Sequence, residues 1–258
     1  MKTGLHLLLS AALLFLLAGC SLLPWSHERG NETNLAFDLD HNLLIVPARI
    51  EGKDVRLIIA SAQPQSVLSA ETAQRISFAP GKKISVLLGD RTSVRVKPRI
   101  ADLHGIADGI LGMDAWSRRS ITIDYRRGLF IVSRSQDENL PGKVYRFRSR
   151  PSIPITIGGR SVTALVDTAL PDTVVLPESS RIDAGRGSPR STLPLTVGDV
   201  DLGELDVGYA SSKFAYVGNR VLANFLLTID YRRDRLSLWP YPEPISGSGD
   251  SHPSSHVR

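Results

Sequence analysis

An internal repeat is the feature of this 258-residue chain that most constrains its fold. Residues 46–64 align without a gap with residues 153–171, at a constant offset of 107 positions. Two more correspondences follow in the same order. The first is a Gly-Asp pair between apolar residues; the second is an apolar-apolar-Gly unit, a short helical segment and a strand ending in Thr-Ile-Asp-Tyr-Arg-Arg. Three matches in one order predict two lobes of the same architecture.

Both repeats have the pattern of short strands. Runs rich in β-branched residues alternate with polar positions, and turn signals recur about every eight to twelve residues. The repeated Gly-Asp pairs predict the tips of two β-hairpins, at Gly89-Asp90 and Gly198-Asp199. Asp124 and Asp230 each end a strand, and we interpret them as turn formers at the surface. The sequence therefore predicts an all-β fold with short helices.

Composition and motifs exclude several function classes. The formal net charge of +5, from 31 basic and 26 acidic residues, is a mild excess spread along the chain and does not indicate a nucleic-acid partner. The histidines are scattered without the spacing of a metal site, so no metal is predicted. The chain has no Gly-rich phosphate loop and no Gly-x-Ser-x-Gly elbow. We expect no cofactor.

The N-terminus resembles a bacterial lipoprotein signal. A basic start and a compact apolar run lead to Leu-Ala-Gly-Cys, which makes residues 1–19 a signal peptide and Cys20 the lipidated residue. The alternative is an ordinary secretory signal with an incidental cysteine. The resemblance implies attachment to a membrane of the bacterial cell envelope through lipid on Cys20. Ser21 after it favours the outer membrane, facing the periplasm, over the inner membrane.

Polar and interrupted segments set the expected domain boundaries. The basic residues of the segment between the repeats alternate with apolar ones, which favours a half-exposed strand over a binding patch. The predicted organisation is a tether over 20–40, a first lobe over 41–135, a linker over 136–151, a second lobe over 152–241 and a disordered tail over 242–258.

The order of motifs resembles that of the pepsin-like and retroviral-type (retropepsin-like) aspartic proteases. That family combines apolar-apolar-Asp-Thr-Gly, a hairpin flap, an apolar-apolar-Gly unit and a short helix. The matching segments are Ile59-Ala60-Ser61-Ala62 with Ile110-Leu111-Gly112, and Val166-Asp167-Thr168-Ala169 with Tyr216-Val217-Gly218. The resemblance covers about residues 43–240. It implies two lobes with a cleft between them, and flap tips at Gly89, Asp90, Gly198 and Asp199 that contact bound peptide.

The first repeat departs from the family at its catalytic position. Two aspartates normally share a proton, but Ala60 stands where one of them is expected, so Asp167 is the single candidate catalytic residue. The resemblance implies that the hydroxyls of Ser61 and Thr168 join the two lobes. Ala169 replaces the family's glycine, as Ala62 does in the first lobe, and predicts a distorted or wider cleft.

Three functional hypotheses follow from this pattern. The first is a catalytically impaired relative whose cleft binds an extended peptide or protein segment by strand addition. The second is an active endopeptidase in which two chains form a homodimer and each contributes Asp167. The third is a structural lipoprotein of the envelope. Mechanism favours the first, because general acid-base assistance contributes about 10²- to 10⁴-fold in rate and Ala60 can supply none.

Overall fold

The structure is a computed structural model that describes residues 32–134, 139–181 and 190–242. The predicted signal peptide, the lipid site Cys20 and the predicted tail beyond residue 242 lie outside the described residues.

Strands dominate the first half of the described chain. They form where apolar and polar side chains alternate, so that one face of each strand is buried. In chain order they are β1 (Glu32–Ala36), β2 (Asp38–Asp40), β3 (Leu43–Ile50), β4 (Lys53–Ile59), β5 (Val67–Ser69), β6 (Ile84–Leu88), β7 (Thr92–Val96), β8 (Arg99–Ala101), β9 (Gly109–Leu111), β10 (Ser120–Asp124) and β11 (Leu129–Ser133).

The second half repeats this organisation with longer strands in its hairpin. In chain order they are β12 (Lys143–Arg146), β13 (Ser152–Ile157), β14 (Arg160–Val166), β15 (Val174–Pro177), β16 (Arg190–Val197), β17 (Val200–Ala210), β18 (Ala215–Val217), β19 (Phe225–Asp230) and β20 (Arg235–Pro240).

The described helices are short. Helix α1 (Ala70–Arg75) begins where the Ser69 hydroxyl accepts a hydrogen bond from the N–H of Thr72 at 3.1 Å. Helix α2 (Asn219–Leu222) follows β18 directly, and 3₁₀ turns occupy Met113–Ala115 and Glu178–Ser180.

Each lobe is a curled sheet, and equivalent strands follow the same order in both lobes. In the second lobe β13-β14-β18-β15-β17-β16 closes into a barrel, because the long strand β17 pairs with both β16 and β15. In the first lobe this strand is split: β7 pairs with β6 and β8 pairs with β5. Lys97 and Pro98 lie at the break. Proline has no N–H to donate to a ladder, which explains why the first barrel stays open.

A six-stranded sheet joins the two lobes, in the order β1-β11-β10-β19-β20-β12. The two lobes meet at its centre, where β10 pairs with β19 and Thr122 lies opposite Thr228, with their hydroxyls 3.0 Å apart. Ile121 and Ile229 of these strands are fully buried in the main core. The equivalent strands of the two repeats therefore pair about a pseudo-twofold axis.

Two predicted boundaries are wrong. The predicted tether (20–40) contains β1 and β2, and Leu35 is only 7% exposed in the joint sheet. The predicted linker (136–151) contains β12, which pairs with β20. The outer strand β1 has five residues, too few for its periodicity to stand out in the sequence. In the predicted linker the alternation did indicate a half-exposed strand, which corresponds to β12.

Candidate functional site

The two repeated loops meet at the interface between the lobes. Ala60 follows β4, and its N–H donates to the carbonyl of Leu111 at 2.9 Å. Asp167 follows β14, and its N–H donates to the carbonyl of Val217 at 3.0 Å. Each loop is thus held against the parallel strand of its own apolar-apolar-Gly unit. The fold places Ala60 and Asp167 at equivalent positions.

Four reciprocal hydrogen bonds, which we call the lobe lock, join the loops. The Ser61 hydroxyl donates to the carbonyl of Val166 at 2.6 Å and accepts from the N–H of Thr168 at 3.1 Å. The Thr168 hydroxyl donates to the carbonyl of Ile59 at 2.6 Å and accepts from the N–H of Ser61 at 3.1 Å. Both side chains are fully buried. The lock therefore satisfies four buried backbone groups that have little access to water.

The two glycines of the apolar-apolar-Gly units allow close backbone approach. A Cβ atom on Gly112 would lie 2.7 Å from the carbonyl oxygen of Gln63, and one on Gly218 would lie 2.6 Å from that of Leu170. Any larger residue at either position would push the loop away from its strand. The requirement is steric, since neither glycine has a positive φ.

Buried tyrosines support both loops. The Tyr231 hydroxyl donates to the carbonyl of Ser61 at 2.9 Å. The Tyr125 hydroxyl donates to Oδ1 of Asn219 at 2.7 Å, and the amide of Asn219 donates to the carbonyl of Thr168 at 2.8 Å. Burial raises the pKa of both tyrosines, and the charge of Asp167 raises it further, so both remain protonated donors.

Sequence reasoning did not single out these tyrosines or Asn219. The available signal was the intact repetition of Asp-Tyr-Arg-Arg, but our interpretation concerned only its aspartates. Asp124 and Asp230 do end strands, yet they are 8% and 2% exposed instead of lying at the surface. Asp230 is paired with Arg235 at 3.2 Å, and the Tyr241 hydroxyl donates to Asp124 at 2.8 Å, which explains why burial of these carboxylates is tolerated.

Asp167 lies partly exposed at the lobe interface. Its Oδ1 accepts a hydrogen bond from the N–H of Ala169 at 3.0 Å. Burial raises the pKa of Asp167 above its ordinary value, against the opposing effects of the Ala169 N–H and the nearby positive charge of Arg150. The carboxyl group therefore holds a proton more readily than a free aspartate.

The first-lobe half of the site is apolar. Ala60 is fully buried, and Ala62 is almost so. A small apolar cluster of the first lobe, formed by Ile45, Ile58 and Ala107, packs against Ala169 of the second lobe. The methyl group of Ala169 thus fills space between the lobes.

Three of the equivalent positions that differ in polarity show the same direction of change. The second lobe carries charged or amide side chains where the first lobe carries apolar ones. The pairs, first lobe before second, are Leu43 and Arg150, Ala60 and Asp167, and Met113 and Asn219. The change does not run in one direction at every position, since Asp108 of the first lobe stands where the second lobe has Phe214.

The hairpin tips lie elsewhere than the sequence predicted. A Cβ on Gly89 would lie 3.2 Å from a methyl group of Leu35 in β1, and Asp199 is ion-paired with Lys143 of β12 at 2.8 Å. The first-lobe tip, with Asp90, and the second-lobe tip, with Gly198, therefore pack against the outer strands of the joint sheet. The prediction that Gly89, Asp90, Gly198 and Asp199 form flaps over the cleft is wrong, because a Gly-Asp turn identifies a hairpin but not the direction in which it points.

The described residues hold no other recognisable centre. Within residues 32–134, 139–181 and 190–242, no three His, Cys, Asp or Glu side chains are close enough together to hold a metal ion. No helix in the described part of the chain has the length and apolarity needed to cross a membrane.

Comparison with known proteins identifies the architecture. No protein-family model matches the sequence, and no curated protein matches it. Among solved structures, the aspartic proteinase from Irpex lacteus is similar, with a TM-score of 0.59 and 12% sequence identity, over 84% of this chain and 100% of that one. The chain has a pepsin-like fold. The predicted fold class, two mostly β lobes with a cleft between them, is confirmed.

Proposed function

We propose that this pepsin-like protein binds an extended peptide in the cleft between its lobes and hydrolyses peptide bonds poorly or not at all. The observation that carries the proposal is the pairing of Ala60 with Asp167 across an otherwise symmetric lobe lock. The support for both loops is present, while one of the two carboxylates is absent from the sequence.

The chemistry of a single carboxyl group supports impaired catalysis. Peptide hydrolysis on this fold uses one carboxylate to accept a proton from water and a second, protonated carboxyl to donate one to the substrate carbonyl. Asp167 is either ionised or protonated at any moment, so it cannot act as base and acid together, and Ala60 has no ionisable group. Tyr125 and Tyr231 cannot substitute, because their hydroxyls already donate to Asn219 and to the Ser61 carbonyl.

The lobe contacts argue against the homodimer hypothesis. For two chains to bring their second lobes together, Thr168 would have to leave Ser61, and β19 would have to separate from β10. Breaking the lock would leave the Ile59 carbonyl and the Ser61 N–H without Thr168, at about 1–3 kcal/mol for each group that stays buried. The intact intramolecular contact favours a cleft within one chain.

Membrane attachment through Cys20 remains part of the proposal. The Leu-Ala-Gly-Cys sequence supports it, and about a dozen residues lie between Cys20 and the start of β1 at Glu32. Fully extended, a segment of that length spans at most about 40 Å, so the lobes would stay close to an envelope membrane. Radiolabelled palmitate incorporation that is lost in Cys20→Ala would test this point.

The proposed function is tested by measuring binding and cleavage on the same peptide library between about pH 3 and 7. Soluble protein beginning after Cys20 is compared with Asp167→Asn and Ala60→Asp, and Asp199→Asn is the matched control on the outer hairpin. Peptide binding without cleavage in the wild type supports the proposal. Cleavage that Asp167→Asn abolishes would instead establish a working peptidase.

Ala60→Asp separates the remaining alternatives. Cleavage that appears only in this variant would support a cleft lacking one carboxylate. Neither binding nor cleavage in any of the four proteins would favour the scaffold hypothesis, in which the two lobes serve only as structure.

A further inference from the structure

The guanidinium of Arg150 lies beside the candidate site. Its Cζ is 4.2 Å from the ring centroid of Phe214, an arrangement typical of a cation–π contact. It is near enough to Asp167 that its charge opposes the effect of burial on the pKa of that carboxyl group. The sequence pattern grouped Arg150 with a half-exposed strand, but β12 ends at Arg146. Arg150 instead lies beyond that strand, near Phe214 and Asp167 of the second lobe.

Arg150 has no acidic partner in contact. Among the residues that the structure describes, no carboxylate lies within ion-pair distance of its guanidinium, whereas Arg56 is paired with Asp40 and Arg190 with Asp172. The ring of Phe214 is 43% exposed, so it presents an open apolar surface to solvent. Stacking orients the guanidinium plane and leaves its in-plane N–H groups available to an anion.

The geometry points to a specificity site: Arg150, oriented by Phe214, binds a carboxylate of the peptide in the cleft. This inference rests on the proposed function, because it assumes that a peptide binds there. A planar guanidinium matches the two oxygens of a carboxylate, and a partly desolvated setting strengthens such a pair relative to water. The carboxylate can belong to a Glu or Asp side chain or to the C-terminus of the peptide.

The first lobe supplies no second site of this kind. Leu43 stands at the position equivalent to Arg150, and Asp108 stands at the position equivalent to Phe214. Asp108 is already engaged by Arg75 at 2.6 Å, and it would repel an acidic group. We therefore expect an acidic preference at one peptide position only, which would also fix the direction of the bound peptide.

Asp167 should oppose this binding while it is ionised. The carboxylate of the ligand would share Arg150 with Asp167, so two negative charges would lie near one positive charge. The described groups whose charges act on Asp167 or are acted on by it are Arg150, Tyr125 and Tyr231. Removing the charge in Asp167→Asn should therefore strengthen binding of an acidic peptide at neutral pH relative to the matched neutral peptide.

The test measures the binding of matched peptides to the full-length protein in detergent. One set of fluorescent peptides with blocked ends carries a single Glu at each position in turn, and its twin set carries Gln. A third set carries a free C-terminal carboxylate on the Gln sequence. The proteins are the wild type, Arg150→Gln, Phe214→Leu and Arg148→Gln, an exposed arginine two positions away.

We expect one Glu position, or the free C-terminus, to tighten binding about tenfold over the neutral twin. Arg150→Gln should abolish that preference while it retains binding of the neutral set, which also shows that the variant is folded. Phe214→Leu should weaken the preference, and Arg148→Gln should keep it. A response confined to one of the two acidic sets identifies the carboxylate as a side chain or a chain terminus.

Equal binding of acidic and neutral twins, or a preference that survives Arg150→Gln, overturns the inference but leaves the proposed function standing. Failure of every peptide set to bind the wild type overturns both.

Discussion

The two lobes of this protein have the same support for their central loops and different chemistry on those loops. Ser61 and Thr168 make reciprocal hydrogen bonds across the lobe interface. Tyr231 donates to the first-lobe loop, and Tyr125 supports the second-lobe loop through Asn219. The catalytic position carries a methyl group in the first lobe, at Ala60, and a carboxylate in the second lobe, at Asp167. The comparison teaches that the joining of the lobes and the chemistry of the cleft are physically separable.

The structural reason is that the lobe lock depends on backbone groups. Its hydroxyls satisfy carbonyl and N–H groups that are buried whatever side chain stands at position 60 or 167. Losing a hydroxyl would leave those groups unpaired, whereas replacing a carboxylate by a methyl group removes a charge that is itself difficult to bury. A cleft can thus lose a carboxylate without losing its architecture.

Removing one hydroxyl of the lobe lock should have the largest effect. Thr168→Val leaves the Ile59 carbonyl and the Ser61 N–H without partners, and we expect it to lower the free energy of unfolding by about 3 kcal/mol. Ser61→Ala leaves the reciprocal pair, the Val166 carbonyl and the Thr168 N–H, without partners and should have an equal effect. Urea unfolding at neutral pH measures both.

Thr163→Val, at an exposed position of β14, is the matched control and should change stability by no more than about 0.5 kcal/mol. A Ser61→Ala effect less than half that of Thr168→Val would show that the lock is energetically asymmetric despite its geometry.

Adding a methyl group behind each loop should have the next largest effect. In Gly218→Ala and Gly112→Ala the new Cβ would lie against carbonyl oxygens of the loop, so we expect a loss of about 2 kcal/mol in each lobe. The loss should be greater in the second lobe, where the approach is closer. Thermal unfolding of the two variants measures this.

Gly208→Ala is the control for these variants. It places its methyl group 3.6 Å from Val175 in the second-lobe barrel, without a clash. Stability equal to the wild type in all three variants would mean that the loops can move away from their strands at little cost.

Much of the fold was predictable because its signals are local. Alternation within β3 and β13, the short helices after Gly112 and Gly218, and the repeated strand order can all be recognised in segments of a few residues. The equivalence of Ala60 and Asp167 follows from the repeat alone. The equivalent placement of the two loops therefore needed no long-range information.

The contacts that were missed join residues far apart in the sequence. Tyr125 and Asn219 are separated by 94 positions and Tyr231 and Ser61 by 170, and no periodicity relates them. The hairpin tips were misplaced for a related reason, since a turn motif does not indicate which surface the hairpin will contact. The outer strands β1 and β12 were assigned to a tether and a linker because each pairs with a strand that is distant in the sequence, β11 for β1 and β20 for β12.

The tyrosine supports should contribute less than the lock. In Tyr231→Phe the buried Ser61 carbonyl loses its donor, and in Tyr125→Phe the Oδ1 atom of Asn219 loses its donor. We expect a loss of about 1.5 kcal/mol in each, measured by urea unfolding. The Tyr209 hydroxyl is buried without a hydrogen-bond partner among the described residues, so Tyr209→Phe is the control and should be neutral or slightly stabilising. An equal loss of stability in all three would mean that the contacts or volume of the buried hydroxyl, not its hydrogen bond, are responsible.

The smallest effects concern pH, and the two lobes should respond with opposite signs. Burial raises the pKa of Asp167 in the folded protein, so the stability that its proton contributes is full below the unfolded pKa of about 3.9 and is lost as the pH rises through the folded pKa. Asp167→Asn lacks this loss and can still accept the Ala169 N–H. Its stability relative to the wild type should therefore increase as the pH rises above about 4.

Asp108 in the first lobe should behave in the opposite way. Burial by itself raises its pKa, but hydrogen bonds from the Arg56 N–H and Thr72 and the charge of Arg75 together hold the pKa below its ordinary value. Its stabilising effect is present above the unfolded pKa and is lost as the pH falls through the folded pKa, so Asp108→Asn should lose stability relative to the wild type as the pH rises. Unfolding free energies of the three proteins measure both trends, that of Asp108 below about pH 4 and that of Asp167 above it. Parallel curves of unfolding free energy against pH for the two variants would mean that Asp108 and Asp167 have the same electrostatic effect on stability. The contrast between the ion-paired acid of the first lobe and the acid of the second lobe would then fail.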